Sequence, residues 1–307
     1  MKEFIINDFN PSISLEGYTL VIGNFDGVHL GHQELLKRAK ENKGLVAVMT
    51  FDPHPMELIK KEKFKYLTPY LNKKEIFNFL NVDLLLKMSF NEQFLKMSKE
   101  EFIGLLKKIN TKNIVCGYDF SFGYKGSGSP LDLEKVFNTI VMPKYSIQGE
   151  RVASSAIRQY LDNGDILNAN KMLGRQYMVE GIVVHGNKIG RQIGFKTANI
   201  DYKDFYLPKN GVYLGKIILN DKELYGMINI GYNPTINLQK SIRLEVNIFD
   251  FDVDIYDENL KVYFIERIRD EKKFFSKEEL IEELKRNRHY GISVLGKRNG
   301  GMEKWEQ

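Results

Sequence analysis

The chain has 307 residues, 43% hydrophobic and 28% charged, with a formal net charge of +5; that length suits two domains of about 100 to 200 residues each. Cys116 is the single cysteine, which excludes an internal disulfide and a cysteine-built zinc cluster. No run reaches the roughly 18 apolar residues of a membrane span and "MKEFIINDFN" lacks the apolar core of a signal peptide, so a cytoplasmic protein with no membrane partner is expected.

In chain order, the apolar runs "TLVIGNF", "GLVAVMTF", "VDLLLKM", "NIVCGYD" and "TIVMPKY" alternate with the helical stretches "HQELLKRAKEN", "KKEIFNFL" and "SKEEFIGLLKKI". That alternation predicts an α/β domain with a parallel sheet covered by helices. Near residue 173 the pattern changes to "MVEGIVVHG", "GVYLGKIIL", "ELYGMINIG", "IRLEVNIFDF" and "LKVYFIERI", separated by Gly, Asn and Asp turns. Closely spaced strands of this kind predict an antiparallel barrel or sandwich. We therefore expect domains at 1–172 and 173–307. A terminal helix follows in "SKEELIEELKRN", where Ser276 and Glu279 have capping-box spacing, and 296–307 reads as a frayed tail.

The junction "VIGNFDGVHLGH" at 21–32 carries the sharpest chemical signal. Ligands of α/β sheets bind beyond the carboxyl ends of strands, where the next helix presents free N–H groups. Gly23 and Gly27 let backbone approach a ligand closely, and His29 and His32, three apart, share a face of the first helical turn. This predicts a pocket for an anion with two imidazole donors. The structural alternative is a glycine-shaped turn with histidines that merely cap a helix. Zinc held by the pair would need further ligands that no nearby spacing supplies.

"GNFDGVHLGH" resembles the nucleotidyltransferase signature of the prokaryotic bifunctional riboflavin kinase/FAD synthetase family. Further motifs similar to that family follow in order: "TFDPHP" (50–55), "GYDFSFGYKGSG" (117–128), "SSAIRQYLDNGD" (154–165), "LGRQYMVEGIVVHG" (173–186), "GRQIGFKTANI" (190–200), "LPKNGVYLG" (207–215), "INIGYNPTI" (228–236), "LEVNIFDFDVDIY" (244–256) and "IRDEKKFFS" (268–276). The resemblance implies a Rossmann-like nucleotidyltransferase domain that adenylylates FMN to FAD with ATP, followed by a riboflavin kinase-like barrel that phosphorylates riboflavin to FMN. It further implies Mg²⁺ or Mn²⁺ as the metal.

Carried over by motif, His29 and His32 hold the ATP phosphates, Gly23, Asn24, Phe25, Asp26 and Gly27 form the nucleotide turn, and Asp119 lies at the sheet's active edge. Ser154, Ser155 and Arg158 match a second phosphate-binding motif. In the barrel, Glu245 is the implied base, Thr197 and Asn199 the metal pair, and Gly186, Gly190, Arg191, Gly194 and Lys196 belong to a loop suited to cover phosphates or, more simply, to join two strands. Three positions depart from the family: Ala156 where Thr is usual, Lys196 where Pro precedes Thr-Ala-Asn, and Asn247 in place of a common His. The missing Thr hydroxyl makes a kinase with weak or lost adenylyl transfer the alternative reading.

Two rival classes remain. Another nucleotidyltransferase, such as an aminoacyl-tRNA synthetase relative, would call for a long basic tRNA-binding domain, whereas the second half contains "DFDVDIYDEN". A nucleic-acid-binding barrel would interleave aromatics with Lys and Arg; "LEVNIFDFDVDIY" interleaves them with acids. No nucleic-acid partner is therefore expected; the partners are riboflavin, FMN and ATP.

Overall fold

The computed structural model describes residues 1–8, 11, 15–186, 194–232 and 242–300, the side chains through 297. Contacts divide the chain into two compact units, Met1–Ser154 and Ser155–Gln307.

The first unit is built on strands β1 (Lys2–Ile6), β2 (Tyr18–Ile22), β3 (Leu45–Asp52), β4 (Leu84–Ser89), β5 (Asn113–Gly117) and β6 (Asn138–Met142). They lie in the order β1-β4-β3-β2-β5-β6, and every adjacent pair is parallel. Helices α1 (Leu30–Lys40), α2 (Pro55–Lys60), α3 (Tyr70–Phe79), α4 (Glu92–Leu95), α5 (Lys99–Lys108) and α6 (Pro130–Glu134) connect them. Both sheet faces are covered. Leu20 and Ile22 pack with Met49, Leu86 and the α5 residues Phe102 and Leu105 on one side; Val21 packs with Val48, Leu85 and the α1 residues Leu35 and Leu36 on the other. Burial on both faces is why these strands read as unbroken apolar runs. Strand order reverses between β2 and β5, so the crevice beyond their carboxyl ends is the place where such a sheet receives a ligand. Two short strands, β7 (Ser146–Ile147) and β8 (Glu150–Arg151), form a hairpin after the sheet.

The boundary falls after the first residue of α7 (Ser154–Asn163), and the rest of that helix and α8 (Ile166–Leu173) open the second unit. Strands β9 (Tyr177–Val184), β10 (Ala198–Asp201), β11 (Gly211–Leu219), β12 (Lys222–Tyr232), β13 (Ile242–Ile248) and β14 (Asn259–Arg269) close into an antiparallel barrel in the order β10-β13-β12-β11-β14-β9. Alternation along β13 buries Leu244, Val246 and Ile248 and leaves Arg243, Glu245 and Asn247 partly open on the other face. Asn220 and Asp221, with φ of 49° and 62°, make the tight turn between β11 and β12, the two-residue geometry that suits a right-twisted hairpin. Helix α9 (Lys277–Gly300) closes the unit. Its Gly291 lets the helix approach Leu214, Met227 and Phe249 on the barrel, and Val294 and Leu295 pack against the same cluster.

The observed architecture agrees with the expected α/β domain and barrel, with local differences. Edge strand β1 and the four-residue β10 do not stand out in the sequence. Residues 296–300, expected to fray, continue α9; 301–307 lie outside the described residues. Helices α7 and α8 group with the barrel, so the compact units meet at Ser154/Ser155, although the sequence pattern changes near 173. The reason is polar pairing: Asn170 of α8 donates to the Phe264 carbonyl (3.0 Å) and accepts from the Tyr177 amide (2.6 Å), and the Lys209 amide donates to the Leu161 carbonyl (2.8 Å).

Candidate active sites

In the first unit, β2 ends at Ile22 and the turn Gly23–Val28 leads into α1. Phe25, Gly27 and Val28 all have positive φ (52°, 88° and 39°), a conformation that costs a non-glycine residue on the order of 1 kcal/mol or more and must be held by its surroundings. It is held from several sides. The Phe25 ring is fully buried and meets Phe77 and His32 edge-on at 5.4 and 5.0 Å. The Asn24 carbonyl accepts from the Thr50 hydroxyl and from the Lys73 ammonium, both at 3.1 Å. Asp26, 4% exposed, accepts from the Thr68 amide (3.2 Å) through its carboxylate and from the Ser154 hydroxyl (2.7 Å) through its carbonyl.

His29 and His32 stack with ring centroids 3.6 Å apart and planes 15° from parallel. His29 is the N-cap of α1, its Nδ1 accepting from the His32 amide at 3.3 Å. An accepting Nδ1 puts the proton of a neutral ring on Nε2. Gly31 leaves room for this arrangement, since a Cβ there would come within 3.2 Å of His29 Nδ1. The capping alternative and the ligand alternative are therefore not exclusive: one edge of the His29 ring serves the helix, and in the neutral ring the opposite nitrogen carries the proton. At the end of the neighbouring strand β5, Asp119 pairs with Arg151, whose guanidinium also lies 5.3 Å from the Tyr118 ring centroid. Of the second phosphate motif, Ser154 is bonded to the turn, whereas Ser155 and Arg158 fall in the second unit, Arg158 lying 4.5 Å from the Tyr206 ring.

In the barrel, register sets Asn199 of β10 and Asn229 of β12 directly opposite Glu245 of β13. Residues so paired are neighbours at about 4.5–5.5 Å between Cβ atoms, so one carboxylate lies between two amides. Burial pushes the Glu245 carboxyl above the ordinary 4.5, and Arg243, at 3.9 Å, acts in the opposite direction. Gly186 lies against Asn199; a Cβ there would collide with the Asn199 amide. Thr197 lines a cavity of about 360 Å³, partly open to solvent, together with Val183, Lys196, Asp254, Ile255 and Tyr256. Lys196 Nζ donates to the Asp252 carbonyl (3.2 Å) and pairs with Asp254 (2.6 Å), while Asn247 Nδ2 donates to the Lys196 carbonyl (2.8 Å). The departures at 196 and 247 thus touch each other. Gly194 is exposed; Gly190 and Arg191 lie outside the described residues.

Sequence reasoning missed Lys73, Thr50 and Thr68 beneath the first site and Asn229 and Arg243 beside the second. Arg243 had an accessible signal, two residues before Glu245 on the same strand face, and Lys73 one in its helical phase with Phe77; Asn229 emerges only from strand register.

These folds and sites define a two-module nucleotide-dependent transferase. The FAD synthetase family matches residues 12–156 and the riboflavin kinase family residues 173–294. Bifunctional riboflavin kinase/FMN adenylyltransferases from Bacillus subtilis and Listeria monocytogenes are each 38% identical, covering 89% and 87% of this chain and 91% and 89% of those proteins. The Escherichia coli one is 35% identical over 89% of this chain and 91% of its own length. A crystal structure described as a macrolide-efflux protein from Streptococcus pneumoniae superposes with a TM-score of 0.85 at 31% identity, covering 95% of this chain and 99% of that one. Among the described residues here, no helix is long and apolar enough to cross a membrane. The chain belongs to the bifunctional riboflavin kinase/FMN adenylyltransferase family. It is an enzyme of flavin cofactor synthesis, converting riboflavin to FMN and FMN to FAD with ATP.

Proposed function

We propose that the two activities use the residues of these two sites. The observation that carries the kinase assignment is the row Asn199–Glu245–Asn229, a half-buried carboxylate set between two amides on an antiparallel barrel. Burial keeps Glu245 basic enough to accept the proton of the riboflavin 5′-hydroxyl as that oxygen attacks the γ-phosphorus of ATP and ADP leaves. The flanking amides orient the hydroxyl and the carboxylate. Thr197 and Asn199 offer neutral oxygen donors with a carboxylate alongside, a set that suits Mg²⁺, which takes few protein ligands beside waters and substrate phosphates. When bound, Mg²⁺ neutralises the nucleotide phosphates.

In the first unit the bond formed is between an FMN phosphate oxygen and the α-phosphorus of ATP, and the bond broken releases pyrophosphate. No covalent enzyme intermediate is required. The need is for donors already aimed at the charge that gathers on the leaving group, and the Nε2–H of His29, the stacked His32 and the amides at the start of α1 supply it. Asn24 and Asp26 sit on the turn that meets the nucleotide or FMN; Ser155 and Arg158 carry the phosphate role that their motif implies. Lys196 lines the cavity offered to the kinase nucleotide, and Gly186 and Gly194 belong to the loop motif that covers it in this reading. Dependence on ATP fits a cytoplasmic enzyme. Incubation with riboflavin, ATP and Mg²⁺, with FMN and FAD resolved by chromatography, tests the reading: both products are expected in succession, and FMN without FAD would leave only the barrel assignment standing.

A further inference from the structure

Lys73 is a lysine 1% exposed, buried on α3 among the side chains beneath the β2–α1 turn. A buried ammonium is costly unless hydrogen-bonded and paired, and the structure shows where its bonds go. Nζ donates to the Asn24 carbonyl at 3.1 Å and to the Thr50 hydroxyl at 3.4 Å, and that hydroxyl donates to the same carbonyl at 3.1 Å. The three atoms form a closed triangle under Asn24, next to Phe25, where the chain enters its positive-φ stretch. The charged groups facing Nζ are Asp26 on the turn and Asp52 at the end of β3, which favour the ammonium, and Lys87 on β4, which disfavours it. Lys87 is paired with Asp52 at 2.6 Å, so Asp26 is the acid that Lys73 answers. The same Asp26 receives the Thr68 amide and the Ser154 hydroxyl.

We propose that Lys73 is a positioning residue for adenylyl transfer: its buried ammonium pins the Asn24–Asp26 turn and thereby fixes the start of α1, on which His29 and His32 are mounted. Lys73 touches neither substrate in this scheme; it acts through the turn. The inference rests on the assignment of that turn to ATP binding. Desolvation, partly opposed by Asp26 and Asp52, lowers the Lys73 ammonium to about 8, so the anchor weakens just above neutral pH. An amine still donates, but without the charge that strengthens the bond and answers Asp26.

The test uses the full chain and compares FAD formation from FMN with FMN formation from riboflavin between about pH 6.5 and 9.5. Wild-type FAD formation is expected to fall along an alkaline limb near pH 8 that kinase activity does not share. Lys73→Met, close in shape and uncharged, is expected to lower kcat for FAD formation by about ten- to a hundredfold, the worth of a hydrogen bond to a charged group. It should abolish the limb and leave kinase activity unchanged. A limb that persists in Lys73→Met, or an unchanged rate, overturns the proposal. If that variant does not fold, Thr50→Val decides: loss of the acceptor at 3.4 Å should move the limb to lower pH, and an unmoved limb overturns the proposal. A wild-type chain that makes no FAD would instead refute the assignment of the module, a result distinct from a limb that ignores Lys73.

Discussion

Glu245→Gln separates the chemistry of the barrel from its stability, and the two effects run in opposite directions. Gln keeps the size of the side chain between Asn199 and Asn229 but cannot accept the substrate proton. A positioned general base contributes about 10²- to 10⁴-fold, so the rate of FMN formation should fall by that factor, a barrier raised by about 3 to 5 kcal/mol. FAD formation from supplied FMN should continue. Burial raises the folded-state pKa of Glu245 above the ordinary 4.5, with Arg243 opposing. A group raised in this way contributes stability that is fully present below its unfolded pKa and is lost as pH rises through the folded one. At neutral pH the wild-type carboxylate is thus ionised at a cost to folding, and Glu245→Gln should be as stable as wild type or more so, with that loss of stability on raising the pH removed. Arg243→Met tests the same electrostatics from the other side. Its charge at 3.9 Å is worth at least about 1 kcal/mol to the carboxylate, so the acid limb of kinase activity should move to higher pH. Urea unfolding and steady-state kinetics of both half-reactions measure these effects. A Gln variant that retains FMN formation, or that loses both activities together with stability, refutes the role of Glu245 as base.

His29→Ala with His32→Ala should abolish FAD formation and spare FMN formation, read in the same two assays. Because His29 also caps α1, His29→Asn, which restores the cap without the ring, should recover the roughly 1 kcal/mol of lost stability but not the adenylyl transfer. Asn170→Ala removes the hydrogen bonds to the Tyr177 amide and the Phe264 carbonyl, each lost buried partner costing about 1 to 3 kcal/mol, so a loss of up to about 6 kcal/mol in urea unfolding is expected. By the same logic a fragment starting at residue 155 should unfold at higher temperature than one starting at 173. Lys196→Met and Asn247→Ala should each raise the kinase KM for ATP more than they lower kcat, because both bonds hold the backbone ahead of Thr197; a double-mutant cycle should show coupling, since Asn247 bonds the Lys196 carbonyl.

How much of this could be seen in the sequence depended on burial. The central strands are buried on both faces and stand out as apolar runs, but β1 exposes Lys2 and Ile5 at the sheet edge and β10 is four residues whose identity comes from pairing with β9 and β13 at once. The spacing of His29 and His32 predicts a shared face, and they stack; that Nδ1 of His29 accepts from the helix, which puts the proton of the neutral ring on Nε2, is visible only in the structure. Glu245 and Asn199 were located by motif, while Asn229 came into view only through register. Lys73 is the most instructive miss. It stands beside Lys74, and the two are indistinguishable by type, yet Lys74 reaches Glu3 at the surface while Lys73 is sealed beneath the β2–α1 turn. What separates them is helical phase: Lys73 is four residues before Phe77, a fully buried core side chain of α3. A lysine in phase with an apolar helical stripe must either lift its ammonium out along its stem or find acceptors inside. Here the acceptors are the Asn24 carbonyl, on the β2–α1 turn, and the Thr50 hydroxyl, on the neighbouring strand β3.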